Sequence, residues 1–162
     1  MYDKSKIESG LEGAKKIVLI YDTTSGNTKE LAEDVVDGLT CGGAEVVVKN
    51  VTDAGVDELG DYDAIVFGCP TYGEGELQDE DGFVDFNDAM SGISLNGKKA
   101  AVFGPGDSEE YPDTFCMAVD ILEETLRNCG AEIVVEGLKI DGDVVEAIGM
   151  GEEWGSKVAE SL

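Results

Sequence analysis

Lys16-Ile17-Val18-Leu19-Ile20-Tyr21, followed at once by Asp22-Thr23-Thr24-Ser25-Gly26-Asn27-Thr28, decides how the rest of the chain is read. The aliphatic run between Lys16 and Tyr21 has no polar face. A strand built from it must be covered on both sides, as strands of parallel sheets are. Small and hydroxylated residues then lead into residues 27–39, where Leu31, Val35 and Leu39 recur at helical spacing with Ala32 and Val36 beside them. Gly42-Gly43 ends that helix. A doubly covered strand running through a short loop into a helix is the first half of a right-handed β-α-β unit.

The same alternation continues outward. Glu45–Lys49 within Ala44–Val51, Asp63–Cys69 and Lys99–Gly104 read as the second, third and fourth strands. A short helix is expected around 81–91. Another is expected over 113–128, carrying Phe115, Ala118, Val119, Leu122 and Leu126 on one side, with Gly130 ending it. Ala131–Val135 and Leu138–Ile140 make an interrupted fifth strand, and residues 143–161 a last helix with Val144, Ala147, Ile148, Trp154 and Val158. Strands and helices in strict alternation imply an α/β fold, a three-layer α/β/α sandwich on a five-stranded parallel sheet. Residues 1–14 read as a polar N-terminal extension and 15–162 as one domain, with no internal repeat or linker.

Composition narrows the function. Of 162 residues, 42% are hydrophobic, and 36 acidic residues face 11 basic ones for a formal net charge of −25. Such a chain is repelled by nucleic acid and by anionic membranes, and is drawn to partners with basic surfaces. A halophilic source is a second, compatible reading of the acidity. No apolar run approaches a membrane span, and the first residues lack a signal-peptide core, so a cytoplasmic protein is expected. Cys41, Cys69, Cys116 and Cys129 form no C-x-x-C pair and there is no histidine. That speaks against a metal centre or an iron–sulfur cluster, and favours buried thiols. It also removes the commonest general base.

In parallel α/β sheets, ligands sit beyond the carboxyl ends of the strands, where strand order reverses. Three loops fall there. Thr23-Thr24-Ser25-Gly26-Asn27-Thr28 supplies hydroxyls ahead of a helix N-terminus, a position suited to an anion. It has neither a P-loop lysine nor the G-x-G-x-x-G pattern of dinucleotide sites. The bland reading is a heavily capped helix start. Pro70-Thr71-Tyr72-Gly73-Glu74-Gly75-Glu76 places an aromatic among flexible residues, as does Gly104-Pro105-Gly106-Asp107-Ser108-Glu109-Glu110-Tyr111. Each alone is an ordinary turn. Two of them beside a hydroxyl-rich anion loop suggest a planar ring held between aromatics, with a phosphate tail.

At this point the chain resembles a family. Leu19 to Thr28, followed by Ala32, is similar to the FMN phosphate-binding signature of flavodoxins. Gly68-Cys69-Pro70-Thr71-Tyr72-Gly73-Glu74 resembles their first isoalloxazine loop, continued by Glu76-Leu77-Gln78-Asp79. Phe103–Asp107, Phe115-Cys116, Ala118–Asp120, Gly130–Val134 and Leu138–Asp143 resemble the rest of the short-chain type of sulfate-reducing bacteria. The resemblance implies sheet order 2-1-3-4-5 and non-covalently bound FMN. It implies that Thr23, Thr24, Ser25, Asn27 and Thr28 hold the phosphate, with Gly26 allowing close approach. Pro70 and Glu74 belong to the first flavin loop, in which Thr71 lies near the ribityl chain. Tyr72 covers the inner flavin face and Tyr111 the outer. Gly73 offers its carbonyl to flavin N5. Gly104, Pro105, Gly106 and Phe115 frame the second flavin loop, and Asp107 and Cys116 give N–H groups to the pyrimidine end. Three positions depart from the pattern: Tyr72 where many relatives have Trp, Pro70 in place of Ser, and a longer Asp107–Phe115 segment.

The function so implied is an electron carrier rather than an enzyme: a monomer without a metal. It would work at low potential between semiquinone and hydroquinone and dock on oxidoreductases with basic surfaces. No Lys or Arg occurs at 50–97 or 100–126. A negative charge on the reduced ring would therefore meet carboxylates without a compensating cation. The main alternative is an FMN-dependent NAD(P)H or quinone reductase on the same fold, disfavoured by the lack of a cationic pocket for a nicotinamide cofactor. A response-regulator receiver would need a phosphoacceptor Asp where Cys69-Pro70 stands. A binding module that has lost its flavin is at odds with the intact phosphate loop.

Overall fold

The central strand, β1 (Lys16–Tyr21), is flanked on one side by β2 (Glu45–Asn50) and on the other by β3 (Ala64–Gly68). The computed structural model describes residues 15–21, 27–69, 83–106, 117–141 and 149–162. β4 (Lys99–Gly106) continues the sheet beyond β3, and the fifth strand is split into β5 (Glu132–Ile133) and β6 (Leu138–Asp141), both paired with β4. All pairings are parallel and the order is 2-1-3-4-5, with the sixth piece beside β4. The predicted interruption of the fifth strand is thus a real break. The Val134 N–H still reaches the Ala100 carbonyl at 3.1 Å, and regular pairing resumes at Leu138 opposite Phe103.

Ile17, Val18, Leu19 and Ile20 are all completely buried, as a strand with two covered faces requires. Alternation sorts them into two layers. Ile17 and Leu19 join Ala64, Val66, Ala101 and Phe103 under helices α1 (Asn27–Cys41) and α4 (Met150–Glu160). Val18 and Ile20 join Ile65, Phe67, Ala100 and Val102 on the opposite face, under α2 (Phe83–Ala89) and α3 (Met117–Asn128). Each such aliphatic contributes about 1.5–3 kcal/mol on burial. Phe67 meets Phe86 edge-on at 5.7 Å, and Phe103 meets Trp154 at 5.8 Å, one such contact on each face.

α1 and α4 pack closely because each places a glycine where the other's backbone comes nearest. A Cβ at Gly38 would collide with the Glu152 carbonyl, and one at Gly155 with that of Val35. Asp34 of α1 accepts hydrogen bonds from the Gly149 and Gly151 N–H groups, both at 2.9 Å, so one helix caps the other. Gly149 sits at φ +100°, a conformation that suits glycine ahead of that turn.

Several expectations are adjusted. α1 runs to Cys41, two residues beyond the expected end, with Gly43 after it at φ +93°. Within the expected stretches 113–128 and 143–161, the described helices are α3 and α4; residues 113–116 and 142–148 lie outside the described residues. Two 3-10 turns, Val51–Asp53 and Val56–Asp61, fill the connection from β2 to β3, which had no predicted structure. Cys69 and Cys129 are buried, but Cys41 is exposed: it ends α1, past the apolar stripe that closes with Leu39. Residues 1–14 also lie outside the described residues.

Candidate functional site

Strand order puts β2 and β3 on opposite sides of β1, so the chain reverses its winding there. A crevice must open beyond the carboxyl ends of β1 and β3, with β4 as its far wall. Into it run Tyr21, then Gly68 and Cys69, then Gly104–Gly106. α1 begins at Asn27, just after the loop that leaves β1, and its first N–H groups have no partner within the helix. The end of the helix nearest the crevice is therefore its electropositive one.

Two glycines shape the far wall. A Cβ on Gly68 would drive into the ring of Phe103, which is completely buried. A Cβ on Gly104 would collide with the Cys69 carbonyl oxygen and stand 3.1 Å from Val119 Cγ2. The Cys69 N–H donates to the Phe103 carbonyl at 3.1 Å, which carries the β3–β4 ladder one residue past the strand end. The described backbones ahead of residues 70–82 and 107–116 therefore leave from neighbouring strands, β4 running two residues further than the level of Cys69. Both segments are the ones whose sequence suggests a clamp on a flat ring.

Of the residues singled out in the sequence, Asn27 and Thr28 open α1, and Gly104 is buried at the wall. Pro105 and Gly106 continue β4 opposite Ile140 and Asp141. Thr23, Thr24, Ser25 and Gly26 lie outside the described residues. So do Pro70, Thr71, Tyr72, Gly73 and Glu74, together with Asp107, Tyr111, Phe115 and Cys116. The described ends of β1, β3 and β4, from which the three predicted loops leave, stand side by side in the sheet. Lys139, opposite Gly104 in register, is the basic residue of the neighbouring strand, and its ammonium is bound to Asp120 at 2.9 Å. Asp34 and Trp154 hold the layer beneath. The indole N–H of Trp154 donates to the Glu136 carbonyl at 2.8 Å. Asp34 was not legible as a site, because an acid on an amphipathic helix looks like part of its solvated face.

An open, doubly wound parallel sheet with an anion-ready helix start and a glycine wall at its switch point defines a class, the mononucleotide-binding α/β proteins. Comparison with known proteins makes the assignment narrower. The family model for flavodoxin matches residues 19–154, and the chain belongs to the flavodoxin family. It is 41% identical over 150 residues to a flavodoxin of Maridesulfovibrio salexigens, covering 91% of this chain and 99% of that one. Oxidised flavodoxin 2 from Bacillus cereus superposes with a TM-score of 0.84 at 40% identity, over 91% of this chain and 99% of that one. A Fusobacterium nucleatum flavodoxin solved with flavin mononucleotide shares the fold, with a TM-score of 0.73 at 17% identity over 90% of this chain and 95% of its own.

Proposed function

We propose that this protein is a one-electron carrier that holds FMN non-covalently in the crevice beyond β1, β3 and β4. The observation that supports the reading is the strand order, which sets the carboxyl ends of β1, β3 and β4 side by side at the switch point, with Gly68 and Gly104 letting those ends pack tightly on Phe103 and Cys69. A flat ring would lie in that crevice, with its phosphate at the start of α1. The residues present fit the group: hydroxyls and helix N–H groups for a phosphate, and aromatic residues for a ring. FMN supplies the redox chemistry when bound. The chain supplies position, exclusion of water and an electrostatic setting. Thr23, Thr24, Ser25, Gly26, Asn27 and Thr28 take the phosphate, Tyr72 and Tyr111 the two ring faces, and the Gly73 carbonyl the N5 edge.

The finer reading concerns potential. With no Lys or Arg at 50–97 or 100–126, both flavin loops lack a cation. The fully reduced, anionic flavin is disfavoured there, so the working couple is semiquinone–hydroquinone at low potential. Net charge −25 supports docking on basic surfaces of oxidoreductases, with a monomer as the working unit. No helix among the described residues is long and apolar enough to cross a membrane, and a cytoplasmic setting is the one proposed.

The test is an absorption spectrum followed through stepwise reduction. A yellow protein that turns blue partway supports the reading. A colourless protein that takes up no added FMN overturns it, and sustained turnover of NADPH would make it a reductase instead. Association with a basic partner should slow as salt rises. A rate indifferent to ionic strength removes the docking argument.

A further inference from the structure

α1 and α4 run side by side in the same direction. Asp34 meets Gly149 and Gly151, Gly38 meets Glu152, Gly155 fits beside Leu39 and Gly42 beside Ala159, so the contact advances along both helices together. Both electropositive ends therefore point toward the crevice, and like ends of neighbouring dipoles repel. Asp34 offsets that repulsion. Its Oδ2 accepts from the Gly149 and Gly151 N–H groups, both at 2.9 Å, at the start of α4. Both donors are suited to the task. Gly151 leaves room for the carboxylate, since a Cβ there would stand 2.7 Å from Oδ2, and Gly149 takes a left-handed φ of +100°. Lys29, Glu30, Glu33 and Asp37 also lie on α1. Among the described residues, Asp34 is the one charged side chain of that helix with a hydrogen-bond partner.

A helix is stiff over two turns. Whatever fixes α1 at Asp34 also fixes the direction of its first N–H groups, seven residues or about 10 Å away. Hydrogen bonds to a phosphate weaken steeply when they are misaligned. We propose that Asp34 is a positioning residue for the phosphate end of the cofactor, locking α4 onto α1 so that the start of α1 is held in line. This rests on the phosphate seat proposed above. The glycine contacts make the lock a close one: Gly38 and Gly155 bring the two backbones together, and Ser156 Oγ donates to the Gly38 carbonyl at 3.2 Å. The charge of Asp34 acts in the opposite sense. A carboxylate about 10 Å from a phosphate repels it, weakly once salt screens the pair. Acceptor and charge thus have opposite effects on affinity, and a neutral acceptor at the same place separates them.

The test is binding of FMN and of riboflavin to the full chain stripped of cofactor, read by fluorescence quenching. Riboflavin lacks the phosphate, so the ratio of the two affinities isolates the phosphate end. Asp34→Ala should weaken FMN at least about fivefold, the lower range of coupling between sites, and leave riboflavin within about twofold. Asp34→Asn, which keeps the acceptor, should bind FMN at least as tightly as the parent. Asp37→Ala, at an exposed position on the same helix, should leave the ratio within about twofold of the parent. A cap that serves stability alone would lower both affinities alike or neither. That result overturns the proposal, as does Asp34→Asn binding FMN no better than Asp34→Ala. The unaltered chain gives a second measurement, hydrogen exchange at the Gly149 and Gly151 amides. By reciprocity FMN should slow it about fivefold more than riboflavin does at equal saturation, and equal slowing overturns the coupling. A parent that binds riboflavin as tightly as FMN overturns the phosphate seat and the positioning role with it. A parent that prefers FMN, with the same preference in Asp34→Ala, overturns the positioning role alone.

Discussion

Gly104→Ala tests whether the glycine wall governs cofactor binding. The added methyl would collide with the Cys69 carbonyl oxygen, stand 3.2 Å from the carbon of that carbonyl and 3.1 Å from Val119 Cγ2. Cys69 cannot swing away, because its N–H is bonded to the Phe103 carbonyl at 3.1 Å. The ends of β3 and β4 must therefore part by about 1 Å, since a close-packed interior has no slack to absorb the methyl. Overpacking costs about 1–3 kcal/mol, and backbone on the opposing side places this site at the upper end. Replacing glycine in a strand returns about 0.5–1 kcal/mol of chain entropy. The net loss is about 2 kcal/mol, a large share of the stability of a domain. Urea unfolding of the FMN-free chain measures that loss, and quenching of FMN fluorescence measures the cofactor affinity. The affinity should fall at least about tenfold, because hydrogen bonds set from both strand ends lose their geometry. Gly97→Ala is the control: it sits at φ +83° with open space around it, so it meets strain alone and leaves FMN binding unchanged. A Gly104→Ala chain within about 0.5 kcal/mol of the parent, the range of a neutral surface change, with FMN affinity intact would refute the reasoning.

Other perturbations have equally definite outcomes. Asp34→Ala removes the acceptor of two N–H groups at the start of α4 and should cost about 1–2 kcal/mol in urea unfolding; no change would mean water replaces the cap. Burial pushes the Glu123 carboxyl above the ordinary range, with Asp120 and Glu136 adding to the rise and Arg127 and Lys139 opposing it. The folded state then prefers the protonated form, so stability declines as pH rises from the unfolded-state pKa, about 4.3, through the raised folded one. Glu123→Gln should accordingly melt higher than the parent at pH 7 and match it below about pH 4. A lower melting temperature at pH 7 would contradict this. Gly73→Ala should reduce the semiquinone yield in a redox titration, because the carbonyl proposed to face N5 turns less readily; an undiminished yield removes that role.

The sheet was legible because burial on two faces leaves a local signature. Ile17–Ile20 and Ile65–Phe67 carry no polar residue, and nothing but a covered strand accounts for that. The split fifth strand was legible too, since Glu136-Gly137 interrupts two β-prone runs. The candidate site is read from the sequence as three loops, because hydroxyls, glycines and aromatics at strand ends are local patterns; most of those residues lie outside the described ones. Contacts between distant residues were not. Asp34 lies 115 residues from Gly149, and neither residue's neighbours in sequence hint at the other. Glu123 reads as one more acid on an acidic helix until the break at 134–137 is laid across it. The tight seat of Gly104 likewise becomes a constraint only when Cys69 is placed against it.

The close seat of α4 on α1 bears on how the chain reaches its fold. Leu31, Val35 and Leu39 are buried in a layer that includes Trp154 and Val158. Gly38 fits against Glu152, and Ser156 Oγ donates to the Gly38 carbonyl at 3.2 Å across 118 residues of chain. During synthesis, the first helix must therefore wait with its apolar stripe uncovered until residues 150–160 have been made. Pairings this distant close late and leave sticky surface exposed in the interval. Throughout that interval the nascent chain is kept apart from its neighbours by its own surplus of carboxylates, which is in place long before the last helix arrives.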